Sequence, residues 1–150
     1  GAAAGDRFSV IVEAQADPKD AYLDRIQIIK GWIDASGQTH ERVFDAAVSE
    51  EERWLEDGSV IPVGSSVDLK TGMTANTIGS ARLSVVWQDP EFDSKQSAFY
   101  YARVLQIPTA RHSLLDKLAL GDDGIDTRRS DAIQERAYTS PIWYRPAAGN

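Results

Sequence analysis

Hydrophobic and polar residues alternate along several segments of the chain, with the two-residue period of a β-strand that buries one face. The first such segment, Arg7 to Ala14, places apolar side chains at every second position. Ala81 to Gln88 repeats this pattern and ends before Asp89-Pro90, and Phe99 to Leu105 is dense in aromatic and β-branched residues. These three segments therefore predict strands.

The longest strand-like stretch runs from Leu23 to Phe44 and predicts a β-hairpin. Its turn is Asp34-Ala-Ser-Gly-Gln38, and the second strand extends from Thr39 to Val48. The alternation slips at Ile28-Ile29, and Gly31 follows. This slip indicates either a strand buried on both faces or a β-bulge near the glycine, and we favour the bulge.

Helical patterns are few. Ser49 to Gly58 has a Ser-x-x-Glu capping pattern and predicts one or two helical turns, with a loop as the alternative. Thr109 to Gly121 predicts a short helix, because its leucines recur at helical spacing and Gly121 suits a C-terminal cap. Arg136 to Tyr144 predicts a final strand, with Pro141 at an edge or bulge.

The elements together predict an all-β (mainly β) fold: an immunoglobulin- or fibronectin-like β-sandwich of about seven strands with one or two short helices. An eight-stranded jelly roll is the alternative. We expect one domain at residues 7–145, with linker or cloning-derived residues at 1–6 and a tail at 146–150. The predicted inward side chains are Phe8, Val10, Val12, Ile26, Ile28, Phe44, Leu83, Val85, Trp87, Tyr100, Val104 and Ile142.

Composition narrows the classes of function. The 150 residues carry a net charge of -7, which opposes a nucleic-acid partner. The chain contains no cysteine, so it forms no disulfide and no thiolate or cysteine-ligated zinc site. No apolar run is long enough to cross a bilayer, and no targeting segment is visible, so we expect a soluble chain without membrane insertion. Its cellular compartment stays open.

Several groups of polar residues are candidates for a catalytic or metal-binding site, but each has a simpler interpretation. The aspartates of Gly121 to Asp126 lack the remaining ligand spacing of a calcium loop, so we interpret them as a solvated loop. The same reasoning assigns ordinary surface roles to the other groups: His40 with Glu41, His112 with Asp116, and the acidic run Glu50, Glu51, Glu52, Glu56 and Asp57. We therefore predict no catalytic residue and no metal ligand.

Aromatic residues are the better candidates for recognition. Trp32 and Trp54 are able to stack on sugar rings, although packing inside the core or between domains is the simpler interpretation. Arg136, Tyr138, Trp143 and Tyr144 combine aromatic surface with an arginine, as the centres of protein interfaces do. Core packing of half of these residues is the alternative.

Three motifs carry a resemblance to a known family: Leu23-Asp-Arg-Ile-Gln-Ile-Ile-Lys-Gly-Trp32, Phe99-Tyr-Tyr-Ala-Arg-Val104 with Ile107-Pro-Thr109, and Gln134 to Tyr144 with its Ser-Pro-Ile-Trp sequence. In this order they resemble the C-terminal part of a bacterial family of unknown function. Its larger members are similar to PHP (polymerase and histidinol phosphatase) phosphoesterases, with an N-terminal metal-dependent domain.

The resemblance implies that any metal site lies in an upstream catalytic domain of the same parent protein. This chain would then be a non-catalytic accessory domain without cofactors, packed against that domain. A carbohydrate- or protein-binding module is the second hypothesis, and a stand-alone hydrolase that uses carboxylates is the third.

Overall fold

The computed structural model describes residues 7–121 and 129–146. Within them lie nine strands, one α-helix (α1, His112–Leu120) and a 3-10 turn at Glu51–Arg53. The strands are β1 (Ser9–Gln15), β2 (Leu23–Ile33), β3 (Thr39–Val48), β4 (Arg82–Gln88), β5 (Ala98–Gln106), β6 (Thr109–Ala110), β7 (Ala132–Ile133), β8 (Arg136–Tyr138) and β9 (Ile142–Tyr144).

The strands form two main antiparallel sheets. β1 pairs with β4, and a five-stranded sheet has the order β3-β2-β5-β8, with β9 also paired to β5. A short β6-β7 ladder adds a third piece. The predicted all-β sandwich is confirmed, and so is its hairpin, because β2 and β3 are joined by a turn at residues 34–38.

The core lies between the two main sheets. β4 packs over β2 and β3, where the rings of Phe44 and Trp87 are 5.2 Å apart. β1 lies over β5, since the ring of Phe8 just before it stacks on Tyr100 at 4.1 Å. The apolar side chains of the alternating patterns in β1 and β4 therefore face the core, where Leu83 and Trp87 are buried.

The alternation slip in β2 has a different cause from the predicted bulge. Ile28 and Ile29 are each 1% exposed, so this strand is buried on both faces. The register shift against β3 lies between Ile26 and Gln27, away from Gly31. The preference for a bulge near the glycine was therefore wrong. Gly31 instead accommodates a neighbouring ring, described below.

The C-terminal strand also differs from the prediction. Two short strands, β8 and β9, replace the single strand at Arg136 to Tyr144, and both pair with β5. Pro141 lies in the interruption between them, as expected for a residue that cannot donate to a ladder. Ile142, predicted to face inward and be buried, is 53% exposed. The reason is the unequal width of the two main sheets.

The helical predictions hold in part. α1 is confirmed, and Gly121 caps it in the left-handed conformation with a φ of 64°. The capping pattern at Ser49 yields only the single 3-10 turn. The suspected calcium loop has its aspartates at positions 122, 123 and 126, outside the described residues.

Two buried charged clusters join loops to the sheets. Lys30 Nζ lies 2.6 Å from Asp89 Oδ2, which also accepts a 2.8 Å hydrogen bond from the Tyr100 hydroxyl. Burial, followed by this hydrogen bond, raises the pKa of Tyr100, so the hydroxyl stays a donor. At the other cluster, the carboxylate of Asp24 accepts from Arg53 at 2.6 Å. Both clusters fix loops onto β2.

Candidate interaction surface

One face of the five-stranded sheet points away from the core and carries aromatic rings from three adjacent strands. Phe99 and Tyr101 of β5 alternate with the buried Tyr100, so their side chains lie on the outer side. Trp143 of β9 is directly opposite Phe99, and Tyr138 of β8 is next to Tyr101. We call these four residues the aromatic face.

The rings of the aromatic face form a continuous series. Phe99 lies 5.3 Å from Trp143 and 6.3 Å from Tyr101, and Tyr101 lies 6.2 Å from Tyr138, measured between ring centroids. Trp143 is 66% exposed and Tyr138 is 56% exposed. Large exposed aromatic side chains in contact with one another are characteristic of binding surfaces rather than of ordinary sheet exteriors.

Arginines border the aromatic face at the β8 end. Hydrogen bonding from Arg136, with a smaller contribution from Arg103, lowers the pKa of Tyr138. Arg103 also donates to Gln27 at 2.8 Å, and Gln27 donates to Asp45 at 2.7 Å. This chain of hydrogen bonds orients Arg103 beside the rings, so the surface combines apolar area with a held positive charge.

At its other end the aromatic face continues into a groove of about 640 Å³. Trp32, Phe99, Trp143 and Tyr144 contribute its aromatic lining. The ring of His40 stacks on Trp32 with centroids 5.2 Å apart, and its Nε2 lies 2.7 Å from an oxygen of Asp34. Hydrogen bonds, first from Ser36 and then from His40, hold the pKa of Asp34 well below its usual range.

A glycine shapes this groove. A Cβ atom on Gly31 would lie 2.2 Å from Cζ of Phe99 and 2.4 Å from its Cε1, far inside van der Waals contact. The absence of a side chain therefore lets the Phe99 ring lie flat across β2. The close approach of ring to backbone explains why a glycine occupies a buried position near the end of the long strand β2.

The structure separates the predicted site residues. Trp32, Trp143 and Tyr144 all line the groove, whereas Arg136 and Tyr138 lie at the far end of the aromatic face. Tyr144 is half-buried, and its hydroxyl donates to the carbonyl of Ser94 at 3.0 Å.

Trp54 is half-buried beside the 3-10 turn and takes no part in the groove. Sequence reasoning missed Phe99 and Tyr101 as surface residues. Their alternation with the inward Tyr100 was the available signal.

Both ends of the described chain lie beside the groove. The rings of Phe8 and Tyr144 are 6.4 Å apart, and Tyr144 itself lines the groove.

Two absences hold for residues 7–121 and 129–146. In these ranges, histidine, aspartate and glutamate side chains form no group of three or more suited to hold a metal ion. No helix within them has the length and apolar character needed to cross a membrane.

The residues of the acidic run make local contacts or are exposed to solvent. The Glu50 carboxylate accepts from the amide of Gly79 at 2.8 Å and contacts Arg53 at 3.3 Å. Glu51, Glu52 and Asp57 are exposed. The carboxylate of Asp57 accepts from Ser59 within the adjoining turn.

Comparison with known proteins gives one family and no individual relative. No curated protein and no solved structure matches the chain. The sequence pattern of one family, described as protein of unknown function (DUF3604), matches residues 2–146, which is nearly the whole chain. The chain belongs to the DUF3604 family.

Proposed function

We propose that this chain is a non-catalytic accessory domain of a larger bacterial hydrolase, and that it packs against an upstream, PHP-like metal-dependent catalytic domain of the same polypeptide. In this proposal the sandwich is immunoglobulin-like and binds no cofactor of its own. The aromatic face and its groove form the packing surface. The observation that carries the proposal is the exposed series of rings from Tyr138 to Trp143 on the outer side of the sheet.

The chemistry of this surface suits a protein neighbour. Interface centres are enriched in tryptophan, tyrosine and arginine, because the rings bury large apolar areas and the planar guanidinium donates several hydrogen bonds. The aromatic face joins Trp143 and Tyr138 to Arg103 and Arg136. Ile29, which pairs with Tyr101 on the neighbouring strand, is only 1% exposed, so the sheet beside the rings is closely packed.

The position of the chain ends supports a neighbour in the same polypeptide. Phe8 lies against Tyr144 at the groove, so an upstream domain would be tethered there through residues 1–6. A short tether gives an effective concentration in the millimolar range. Such a concentration allows a modest contact surface to remain occupied.

A carbohydrate-binding module fits this surface less well. Stacking on sugar rings requires flat, coplanar aromatic platforms. Neighbouring rings here are tilted, by 52° between Phe99 and Trp143 and by 46° between Tyr101 and Tyr138. Trp32 is half-buried and already stacked on His40. The mixture of tilted rings and arginines favours a protein partner.

The test measures association between this chain and the polypeptide that precedes it in the longer gene, each produced separately. We expect binding by isothermal titration calorimetry, and a loss of about thirtyfold in affinity for Trp143→Ala, as for a central interface tryptophan. Val86→Ala is the control, since Val86 is 72% exposed on the other sheet. It should leave the affinity unchanged.

Three results would contradict the proposal. The first is an open reading frame that begins within a few residues of Phe8. The second is equal affinity of Trp143→Ala and the parent chain. The third is binding of soluble oligosaccharides that Trp143→Ala abolishes, which would establish the carbohydrate module instead.

A further inference from the structure

The two main sheets of the sandwich differ in width, and the difference leaves part of the larger sheet without a covering strand. β4 lies over β2 and β3, and β1 lies over β5. In the part of the chain that the structure describes, no strand of the smaller sheet lies over β8 and β9. A position for one more strand therefore exists beside β1.

Exposed side chains mark this position. Ile142 is paired with Tyr100, and Ala137 is paired with Val104. Paired residues of adjacent strands point to the same side of a sheet, so Ile142 and Ala137 face the sandwich interior with Tyr100 and Val104. Tyr100 is 1% exposed under β1, whereas Ile142 is 53% exposed. An inward-facing isoleucine thus lacks a cover.

The edge of β1 beside this position has main-chain groups without a hydrogen-bond partner among residues 7–121 and 129–146. The amide of Asp89 donates to the carbonyl of Phe8 at 3.0 Å, and the amide of Ala16 donates to the carbonyl of Ala81 at 2.9 Å. In an antiparallel pair, hydrogen-bonded residues alternate with residues whose N–H and C=O groups point away. The N–H and C=O groups of four β1 residues therefore point away from β4, toward the open edge. These residues are Ser9, Ile11, Glu13 and Gln15.

A cleft of about 1270 Å³ lies along the same edge. It is lined by Ala14 and Gln15 from β1, by Val104 from β5 and by Ala137 from β8. The cleft therefore runs from the C-terminal end of β1 to the interior side of β8, and β6, β7 and the first turn of α1 complete its wall. Adjacent strands are about 4.8 Å apart and packed sheets about 10 Å apart, so a strand beside β1 would lie over β8 and β9.

We propose that the open edge of β1 receives one extended peptide segment that carries apolar residues at every second position. The segment hydrogen-bonds to the outward main-chain groups of Ile11 and Glu13, and its apolar side chains cover Ile142 and Ala137. It completes the smaller sheet by strand addition. The inference rests on the proposed function for one point only, which is that the neighbouring domain of the longer protein supplies the segment.

A second copy of this chain is the wrong occupant. Pairing β1 with β1 of another copy would bring the two larger sheets together on the same side of the joined smaller sheets. Each larger sheet extends past β1 by the width of β8 and β9. The overhanging strands of the two copies would then occupy the same space, whereas a single segment avoids this clash.

The test appends to Asn150 a flexible glycine-serine linker and a copy of Arg82–Gln88. This copy is the natural β1 partner and has the required alternation at Leu83, Val85 and Trp87. Linkage removes the need for high affinity in solution. We expect the Ile11 and Glu13 amides to exchange with deuterium at least tenfold more slowly than in the parent chain, and the melting temperature to rise.

Two matched controls make the result specific. In the appended chain, Ile11→Pro removes an N–H that points to the open edge, so the slow exchange at Glu13 should be lost. Val86→Pro makes the same change on the far edge of β4, opposite Ile11 in the pairing, and should retain the slow exchange. An appended sequence of the same composition without alternation should not slow exchange.

The proposal is overturned if the appended copy leaves Ile11 and Glu13 exchange unchanged, or if the non-alternating sequence slows it equally. These outcomes concern the isolated chain and do not depend on Trp143. A failure here is consequently distinguishable from a failure of the aromatic face to bind the upstream domain.

Discussion

Replacing Gly31 by alanine tests whether the Phe99 ring and the β2 backbone together shape the groove. The new Cβ would lie 2.2 Å from Cζ of Phe99, so the ring must shift by more than 1 Å to reach an ordinary contact distance. Overpacking of this kind lowers the free energy of unfolding by about 1–3 kcal/mol. For a domain of this size, that corresponds to a fall of about 2–4 °C in melting temperature for each kcal/mol.

The matched second variant removes the obstacle. In a Phe99→Ala background, Gly31→Ala should be neutral or stabilising by a few tenths of a kcal/mol, because alanine restricts the unfolded chain more than glycine does. Urea denaturation of the four chains in a double-mutant cycle should give a coupling energy of about 1–3 kcal/mol. Additivity of the two changes within about 0.5 kcal/mol would refute the steric argument.

Three further predictions concern polar groups. Lys30→Met should reduce the free energy of unfolding by about 3–5 kcal/mol in urea titrations, because it leaves the fully buried Asp89 without its cation; a loss below about 1 kcal/mol would contradict this. Arg53→Met should reduce it by less, since Asp24 keeps a second cation, Arg25, whose Nε lies 3.1 Å from Oδ2; a larger loss than for Lys30→Met would be contrary evidence. The pKa of Asp34 is lower in the folded chain than its unfolded value of about 3.8, so the ionised carboxylate stabilises the fold above that pH. The difference in free energy of unfolding between the parent chain and Asp34→Asn should therefore shrink as the pH falls below about 3.8. A difference that stays constant with pH would contradict this.

Much of the fold was predictable because its signal is local. The alternation around Val10 and Val85 depends only on which face meets the core, and each of these strands has one buried face. The helix at Leu114 and its glycine cap follow equally from spacing. Such patterns are retained in the structure because they depend on residues that lie close together in the sequence.

The errors arose where distant residues decide the outcome. The slip at Ile28-Ile29 has the same local appearance in a bulged strand and in a strand covered on both faces, and only the rings packed over the outer face distinguish them. Ile142 has the alternation of a core residue and faces the interior. Its exposure depends on the number of strands in the opposite sheet, which no local pattern contains.

The candidate surface was predicted in part for the same reason. Trp143 and Tyr138 were named from their composition alone, and both are exposed. Phe99 and Tyr101 connect these two residues into one surface, and this connection depends on the pairing of β5 with both β8 and β9. That pairing joins residues about forty positions apart, so composition could suggest the members of the surface but not its continuity.

The two proposed contacts meet on the same pair of strands, and this predicts where the isolated chain is weakest. β8 and β9 have three residues each, and among the described strands they pair with β5 alone. Strands this short depend on packing across their faces for stability. The aromatic face occupies their outer side, the cleft adjoins the inner side of β8, and Ile142 on the inner side of β9 is 53% exposed.

We therefore expect the amides of β8 and β9, at Ala137 and Ile142, to exchange with deuterium faster than those of β2 in the isolated chain; the β2 reference amides are Ile28 and Ile29. The faster exchange would occur through local opening of β8 and β9 and not through global unfolding. In the longer protein the difference should shrink, because a neighbouring domain would cover both sides of β8 and β9. Hydrogen exchange measured by mass spectrometry on both forms decides the matter. Equal exchange of these two strands with and without the rest of the protein would mean that neither face is covered, and would count against both contacts together.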